Sequence, residues 1–208
     1  MKALQIRFQN SDQSFSCEPG DGLLRSALRS GVGLPYECAS GGCGVCRVQL
    51  IEGEVEDLWP QAPGLPQRQR DRGFRLACQS RPLSDCTMRV RSSLRNDTTP
   101  RPSRRAARLV SRTNVTADMC EFTFAAENAA EFVAGQFALL GLPGVRGDRA
   151  YSMSNLPNSE GRWSFVIKRL ANGSGSTALF DHLSVGDTIT LDGPYGLAHL
   201  RDDSPRNI

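Results

Sequence analysis

Four cysteines constrain this chain more than any other feature. Cys38, Cys43 and Cys46 follow a C-x4-C-x2-C spacing, and Cys78 stands well downstream. That is the spacing of plant-type 2Fe–2S ligation, three thiolates from one loop and a fourth from a distant segment. Two irons need four thiolates, and a short loop delivers three of them only by wrapping the cluster. Gly41, Gly42 and Gly44 fall inside the loop, where the backbone has to come close and point N–H groups at sulfur. A structural zinc site is the competing reading, but zinc sites usually pair two C-x-x-C knuckles, and only one such pair is present. Of the other cysteines, Cys17 and Cys120 sit in strand-like runs as small core residues, and Cys86 follows Asp85 near a turn with no role assigned.

The 208 residues suit one large domain or two small ones, and 39% apolar content is enough to bury a core. No apolar run reaches membrane-spanning length, and Met1 to Arg7 alternates like a strand rather than opening a secretion signal. The expectation is a cytoplasmic chain whose seven cysteines serve a metal or a catalytic thiol rather than disulfides. A net charge of +3 does not argue for nucleic acid, and no membrane partner is expected. The one basic cluster, Arg101, Arg104, Arg105 and Arg108, lacks interleaved aromatic residues and reads as a solvated linker.

Residues 92–103 are polar, carry two prolines and show no periodicity, which marks a linker between a domain at 1–91 and another at 104–208. In the first, Leu4, Ile6 and Phe8 alternate, and Phe15 belongs to a second short run, predicting a β-hairpin. Asp21 is a candidate helix N-cap, Leu23, Leu24, Ala27 and Leu28 share a helical face, and Gly31 and Gly33 end the helix. Val48, Leu50 and the Glu52-Gly53 turn predict a further strand and hairpin, and Met88 and Val90 a last strand. Strands around one helix make a small α+β domain. The second domain shows short β-rich runs at Phe122 and Phe124, 137–142, 163–167 and 189–191, as in an antiparallel barrel, interrupted by a helix at 176–183.

Leu34 to Cys46, with Leu76-Ala77-Cys78-Gln79, resembles the ferredoxin domain of bacterial oxygenase reductases. Glu52 to Val55 and Leu58 to Leu65 resemble the branch that includes the reductase of toluene 4-monooxygenase. The resemblance implies a β-grasp ferredoxin fold for the first domain. Arg149-Ala150-Tyr151-Ser152 resembles the R-x-Y-S motif of the ferredoxin–NADP reductase superfamily, whose β-barrel domain holds FAD. The residue types suit flavin binding, since arginine neutralises a diphosphate, tyrosine stacks on a flat isoalloxazine, and a serine hydroxyl reaches its edge. Gly135-Gln136-Phe137, Val166-Ile167-Lys168, Gly173-Ser174-Gly175-Ser176 and Asp192 to Gly196 are similar to the family's strand start, flavin-lining strand, phosphate loop and barrel-closing turn.

Residues 173–178 also fit the dinucleotide fingerprint G-x-G-x-x-A, but a Rossmann unit needs several βα repeats and about 30 residues remain. In the R-x-Y-S context the run is the flavin phosphate loop. His182 and His199 read as surface or packing residues, and Trp59 and Trp163 as packing. The acidic run Glu52, Glu54, Glu56 and Asp57 is a solvated hairpin or, on a sharper reading, part of a redox docking surface.

The resemblance thus implies an oxidoreductase, the reductase component of an aromatic-hydrocarbon oxygenase. A nicotinamide reduces FAD, single electrons pass to the 2Fe–2S cluster, and the cluster feeds the oxygenase or its Rieske-type ferredoxin. Cys38, Cys43, Cys46 and Cys78 hold the cluster. Arg149, Tyr151, Ser152, Val166, Ile167, Lys168, Gly173, Gly175, Ser176 and Thr177 hold FAD, with Tyr151 and Ser152 as the catalytic candidates. The family's nicotinamide domain would begin where the sequence reaches Ser204 to Ile208, so NADH is expected to act through a missing or separate domain and to reduce the chain only slowly. A stand-alone electron carrier using a separate dehydrogenase, or a redox sensor, is the alternative.

Overall fold

The computed structural model describes residues 2–91, 94 and 100–199. The chain divides into two compact units, Met1–Arg101 and Pro102–Ile208. Most of the linker expected over 92–103 lies outside the described residues, as do Ser204 to Ile208.

The first unit opens with β1 (Leu4–Phe8) and β2 (Ser14–Cys17), paired antiparallel as the alternation predicts. Helix α1 (Leu23–Arg29) follows, then β3 (Arg47–Glu52), β4 (Val55–Asp57), a helical turn α2 (Gln67–Arg70), β5 (Phe74–Leu76), β6 (Ser80–Pro82) and β7 (Cys86–Val90). The main sheet has the order β2-β1-β7-β3-β5, and β7 runs parallel to β1 and antiparallel to β3. Helix α1 packs Leu23, Leu24, Ala27 and Leu28 into the core, which makes the β-grasp arrangement. The buried face stabilises the helix by about 1.5–3 kcal/mol for each large aliphatic side chain, before entropy is charged.

Two local expectations are corrected. Gly22, not Asp21, is the N-cap. Asp21 is drawn inward, where Arg29 and the Ser26 hydroxyl donate to its carboxylate. The Glu52-Gly53 turn does not close a hairpin of β3 with β4. Instead β4 leaves to pair with β6, while β3 pairs with β5 and β7. Cys86 opens β7 just after the bend that follows β6, near a turn as expected, and is buried. Cys17 and Cys120 are core residues as expected.

The second unit is a six-stranded antiparallel sheet rolled into a nearly closed barrel: β8 (Ser103–Asn114), β9 (Met119–Ala125), β10 (Phe137–Gly141), β11 (Arg149–Ser152), β12 (Arg162–Lys168) and β13 (Thr188–Tyr195), in the order β11-β10-β13-β8-β9-β12. Its interior is filled by Phe122, Phe124, Leu140, Trp163, Phe165 and Leu191. Just past the end of β11 the Ser154 N–H donates to the Ser164 carbonyl of β12 at 2.8 Å, and the two edge strands form no ladder among the described residues. Helix α3 (Ser174–Thr177) runs on into a π turn at Ala178–His182, two residues earlier than expected.

The basic cluster is not a solvated linker. Arg104, Arg105 and Arg108 lie on β8, whose Ala107 and Leu109 face the core. The Arg105 guanidinium stacks 5.0 Å from the Trp163 ring centre, and Arg104 pairs with buried Asp192 at 3.5 Å. Asp192 to Tyr195 belong to β13 rather than to a turn, because Asp192 and Gly193 pair with Arg104 and Ser103.

Candidate functional site

Two sites are built on these units. The first is the loop 38–46, held between α1 and β3. Ala39, Gly41 and Gly44 adopt left-handed backbone angles that fold the loop back on itself. A Cβ on Gly44 would run into the carbonyl oxygen of Gly64, and one on Gly64 would lie 2.6 Å from the Gly44 nitrogen. The Gly64 N–H donates to the Gly41 carbonyl at 2.9 Å, so two glycine backbones lock together. Gly42 has open space instead and makes no close approach. Arg47 secures the loop from below, donating to the Gly44 carbonyl at 2.7 Å and to Gln69 at 2.8 Å.

Cys78 sits in a single turn of 3-10 helix after β5, and the Ala77 N–H donates to the Cys46 carbonyl at 2.9 Å. This brings Cys46 Sγ to 3.3 Å from Cys78 Sγ. The Ser40 and Cys43 N–H groups donate to Cys38 Sγ at 3.5 and 3.4 Å, and Val45 N–H to Cys43 Sγ at 3.5 Å. These donors are not the glycines themselves; glycine bends the chain, and its neighbours supply the N–H groups. Burial pushes the Cys38 thiol up, but those hydrogen bonds outweigh it and hold it at about 6. The hydrogen bond from Cys78 holds Cys46 down to about 7, while the same contact and burial push Cys78 up. Thiolate is the ligand form, so the loop favours the state that binds iron.

Among the described residues no three metal-binding side chains converge on one point. A binuclear cluster needs thiolates in pairs, two per iron, which the Cys46–Cys78 contact fits. Trp59 edges the same loop: its Cε3 lies 3.2 Å from where a Gly41 Cβ would stand. Part of the acidic run is already matched within the domain, Glu56 by Arg81 at 2.7 Å and Asp57 by Arg70. Glu52 is held as well, its carboxylate accepting from the Thr87 hydroxyl at 3.1 Å.

The second site lies along the open seam of the barrel. Tyr151 is paired with Ala138 and Arg149 with Leu140, so both side chains share the face that looks toward α3. The missing Cβ of Gly175 makes room for them; it would stand 2.8 Å from Arg149 Cγ and 3.1 Å from Tyr151 Oη. Arg149 Nη2 donates to Ser174 Oγ at 2.9 Å, which puts the guanidinium at the start of the glycine loop. Burial pushes the Tyr151 phenol up, against the opposing pull of Arg149.

The other candidates divide. Ser152 and Val166 project outward from the two edge strands beside the seam, as does Lys168, which pairs with Asp118 at 3.2 Å. Ile167 is a correction: β12 turns its side chain into the core, leaving only its backbone to line a ligand. The Ser176 hydroxyl is buried and spent on Leu170 and Gly173, so the side chain shapes the loop. The Thr177 N–H is bound to the Gly173 carbonyl at 2.8 Å. The strand alternation also separates Ser152 from Tyr151, which sit on opposite faces of β11. Ser174, between two selected glycines, was missed as a side chain; its partner Arg149 was the available signal.

Comparison with known proteins agrees with both cofactors. The 2Fe-2S iron-sulfur cluster binding domain family matches residues 6–83, and the oxidoreductase FAD-binding domain family matches residues 106–200. The ferredoxin–NAD(+) reductase component of the alkene monooxygenase system of Xanthobacter autotrophicus is 45% identical over 202 residues, 96% of this chain and 61% of that protein. A ferredoxin–NAD(P)(+) reductase of Metapseudomonas resinovorans is 44% identical over 195 residues, 92% of this chain and 59% of that protein. The solved structure of the ferredoxin reductase in carbazole 1,9a-dioxygenase superposes with a TM-score of 0.86 at 39% identity, covering 99% of this chain and 64% of that one. The chain thus spans about three fifths of the length of the curated relatives it matches.

Proposed function

We infer that this chain, a homologue of the reductase components of oxygenase systems with a 2Fe–2S cluster domain and an FAD-binding domain, is an electron-transfer module that delivers single electrons to an oxygenase system. The observation that carries the reading is the joint presence of a paired-thiolate loop and an Arg149–Ser174 flavin loop on one chain. FAD, when bound, turns a two-electron donor into single electrons, and a 2Fe–2S cluster carries them one at a time.

The chain's own residues bind and orient. Cys38, Cys43, Cys46 and Cys78 would hold the cluster, with the N–H groups of Ser40, Cys43 and Val45 stabilising charge on sulfur. Arg149 would neutralise the diphosphate, Tyr151 would present its ring, and Ser152, Val166 and Lys168 would border the seam. Cys38 and Cys43 are exposed, so the cluster end of the loop faces solvent where a partner can approach. The proposed electron donor is NADH and the proposed acceptor an oxygenase component or its Rieske-type ferredoxin. An aromatic hydrocarbon as the final substrate, and the likeness to the toluene 4-monooxygenase branch, stay proposals with them. No helix of the described residues is long and apolar enough to cross a membrane.

Anaerobic photoreduction of the flavin in the reconstituted chain tests this. The cluster absorbance should bleach after the flavin is reduced, and a Cys78→Ser chain should show flavin reduction alone. A cluster that stays oxidised beside reduced flavin contradicts the reading.

A further inference from the structure

Alternation along β1, β3 and β7 turns Ile6, Val48, Met88 and Val90 into the core with α1, and Arg7, Arg47, Gln49 and Arg89 to the opposite face of the sheet. Gln49 pairs with Arg89 on one side and with Phe74 on the other, so the three stand in one row. Arg91, just past β7, lays its guanidinium 4.9 Å from the Phe74 ring centre. The Arg72 carbonyl accepts from Gln49 Nε2 at 3.1 Å, which fixes the exposed Arg72 beside the same row. At the cluster end of this face, Arg47 holds the Gly44 carbonyl of the cysteine loop at 2.7 Å.

Neutral groups hold these arginines. Arg89 Nε donates to Gln9 Oε1 at 3.0 Å, Arg91 rests on an aromatic ring, and Arg47 donates to a carbonyl and to Gln69. Such partners fix a side chain without cancelling its charge. Elsewhere in the unit Arg29, Arg70 and Arg81 are matched by Asp21, Asp57 and Glu56. Among the described residues none of Arg47, Arg72, Arg89 and Arg91 makes an ion pair. The carboxylate that the described strands give this face, Glu52, lies at the end of β3 away from the loop, in a row with Thr87 and Arg7. Uncancelled positive charge thus gathers toward the cluster.

We propose that the face formed by Arg47, Arg72, Arg89 and Arg91 docks an acidic redox protein that takes the electron from the cluster. The inference rests on the reading of the chain as an electron-transfer module. One electron leaves the reduced cluster for the acceptor's metal centre; the cluster is oxidised, the acceptor is reduced, and no bond or proton changes hands. Charge complementarity sets the sign of the partner, because a rim of carboxylates would meet cations already held in place, and such fields steer encounter. Arginine is also enriched at protein interfaces, where lysine is depleted. Nucleic acid fits less well, since the aromatic ring of the face, Phe74, is capped by Arg91 and offers no platform to a base. Glu56 and Asp57 are spent on Arg81 and Arg70, so the acidic run offers the weaker field.

Stopped-flow oxidation of the photoreduced, cofactor-loaded chain by cytochrome b5, an acidic protein, and by cytochrome c, a basic one, tests the proposal at the visible band of the cluster. The cytochrome b5 rate should fall at least about tenfold between ionic strengths of about 0.01 M and about 0.5 M, and the cytochrome c rate should rise. Arg89→Glu and Arg91→Glu should each slow cytochrome b5 several-fold at low salt and not at high salt, with Arg89→Gln between Arg89→Glu and wild type. Arg162→Glu, at an exposed position of the second unit, should change the rate far less. The wild-type salt dependence decides even where a variant fails to load its cluster. A cytochrome b5 rate that ignores salt or rises with it, or equal slowing by Arg89→Glu and Arg162→Glu, overturns the assignment. Binding of a labelled DNA duplex that Arg89→Glu abolishes, with the cytochrome b5 rate unchanged, also overturns it and gives the face to nucleic acid. A reduced cluster that passes its electron to neither cytochrome overturns the electron-transfer reading itself.

Discussion

Cys46 Sγ lies 3.3 Å from Cys78 Sγ, although one closes the cysteine loop before β3 and the other follows β5. The antiparallel pairing of β3 with β5, with Arg47 opposite Leu76, carries the two thiols together. The cluster site is thus a property of the sheet as much as of the loop.

Removing either thiol should abolish the cluster. Cys46→Ser and Cys78→Ser chains should each retain less than about a tenth of the wild-type iron after anaerobic reconstitution, because a hydroxyl is a poor replacement for a thiolate ligand. Cys86→Ser should keep its iron, since that thiol faces the Glu54 and Ser84 carbonyls in another part of the domain. Iron and sulfide analysis of the three variants checks this.

Gly44→Ala and Gly42→Ala should differ sharply. Gly44 has a left-handed backbone, and its Cβ would meet the Gly64 carbonyl, so the substitution should cost about 1–3 kcal/mol and shorten the lifetime of the cluster in air. A Cβ on Gly42 meets nothing within 4 Å. Thermal denaturation and the decay of visible absorbance would show the contrast, and equal behaviour would show that the two loops do not lock.

Gly175→Ala should loosen FAD without unfolding the barrel. The new methyl would press on Arg149 Cγ and Tyr151 Oη and push both from the seam. FAD affinity should fall about tenfold, near 1.4 kcal/mol. Arg149→Ala should lose at least as much, because it removes the charge that meets the diphosphate. Equilibrium titration with FAD measures both; unchanged affinity in either variant would remove the seam from the flavin site.

Asp192→Ala should destabilise the second unit. The residue is 1% exposed, and its carboxylate pairs with Arg104 and accepts from the Tyr195 hydroxyl at 2.7 Å. Breaking a buried ion pair from one side costs about 3–5 kcal/mol, and because Arg104 reaches solvent the lower end is expected. Urea denaturation reads the loss.

The sequence carried the cluster more openly than the barrel. Cysteine spacing is fixed by iron chemistry, so Cys38, Cys43, Cys46 and Cys78 stand out without any fold. Strand β8 was hidden because only Ala107 and Leu109 are fully buried along it, while Arg104, Arg105 and Arg108 make the run look like a solvated linker. Arg105 shows why: its guanidinium covers Trp163, a contact between residues far apart in sequence. Asp21 looked like a helix cap, as an aspartate before a helix does, until the fold placed Arg29 and Ser26 within reach to claim it. The flavin residues were legible as a set, but their sides were not. Alternation along β11 puts Tyr151 and Ser152 on opposite faces, but which face looks toward α3, and that Ile167 rather than Val166 turns inward, emerges only from the folded strands.

Stepwise anaerobic reduction of the reconstituted chain with a calibrated reductant tests the central claim most directly. A chain that holds FAD and a 2Fe–2S cluster together should take up about three electrons, two at the flavin and one at the cluster. Uptake of about two electrons, or about one, would show that one of the cofactors is absent, and the account of a single flavin-to-cluster module would fail.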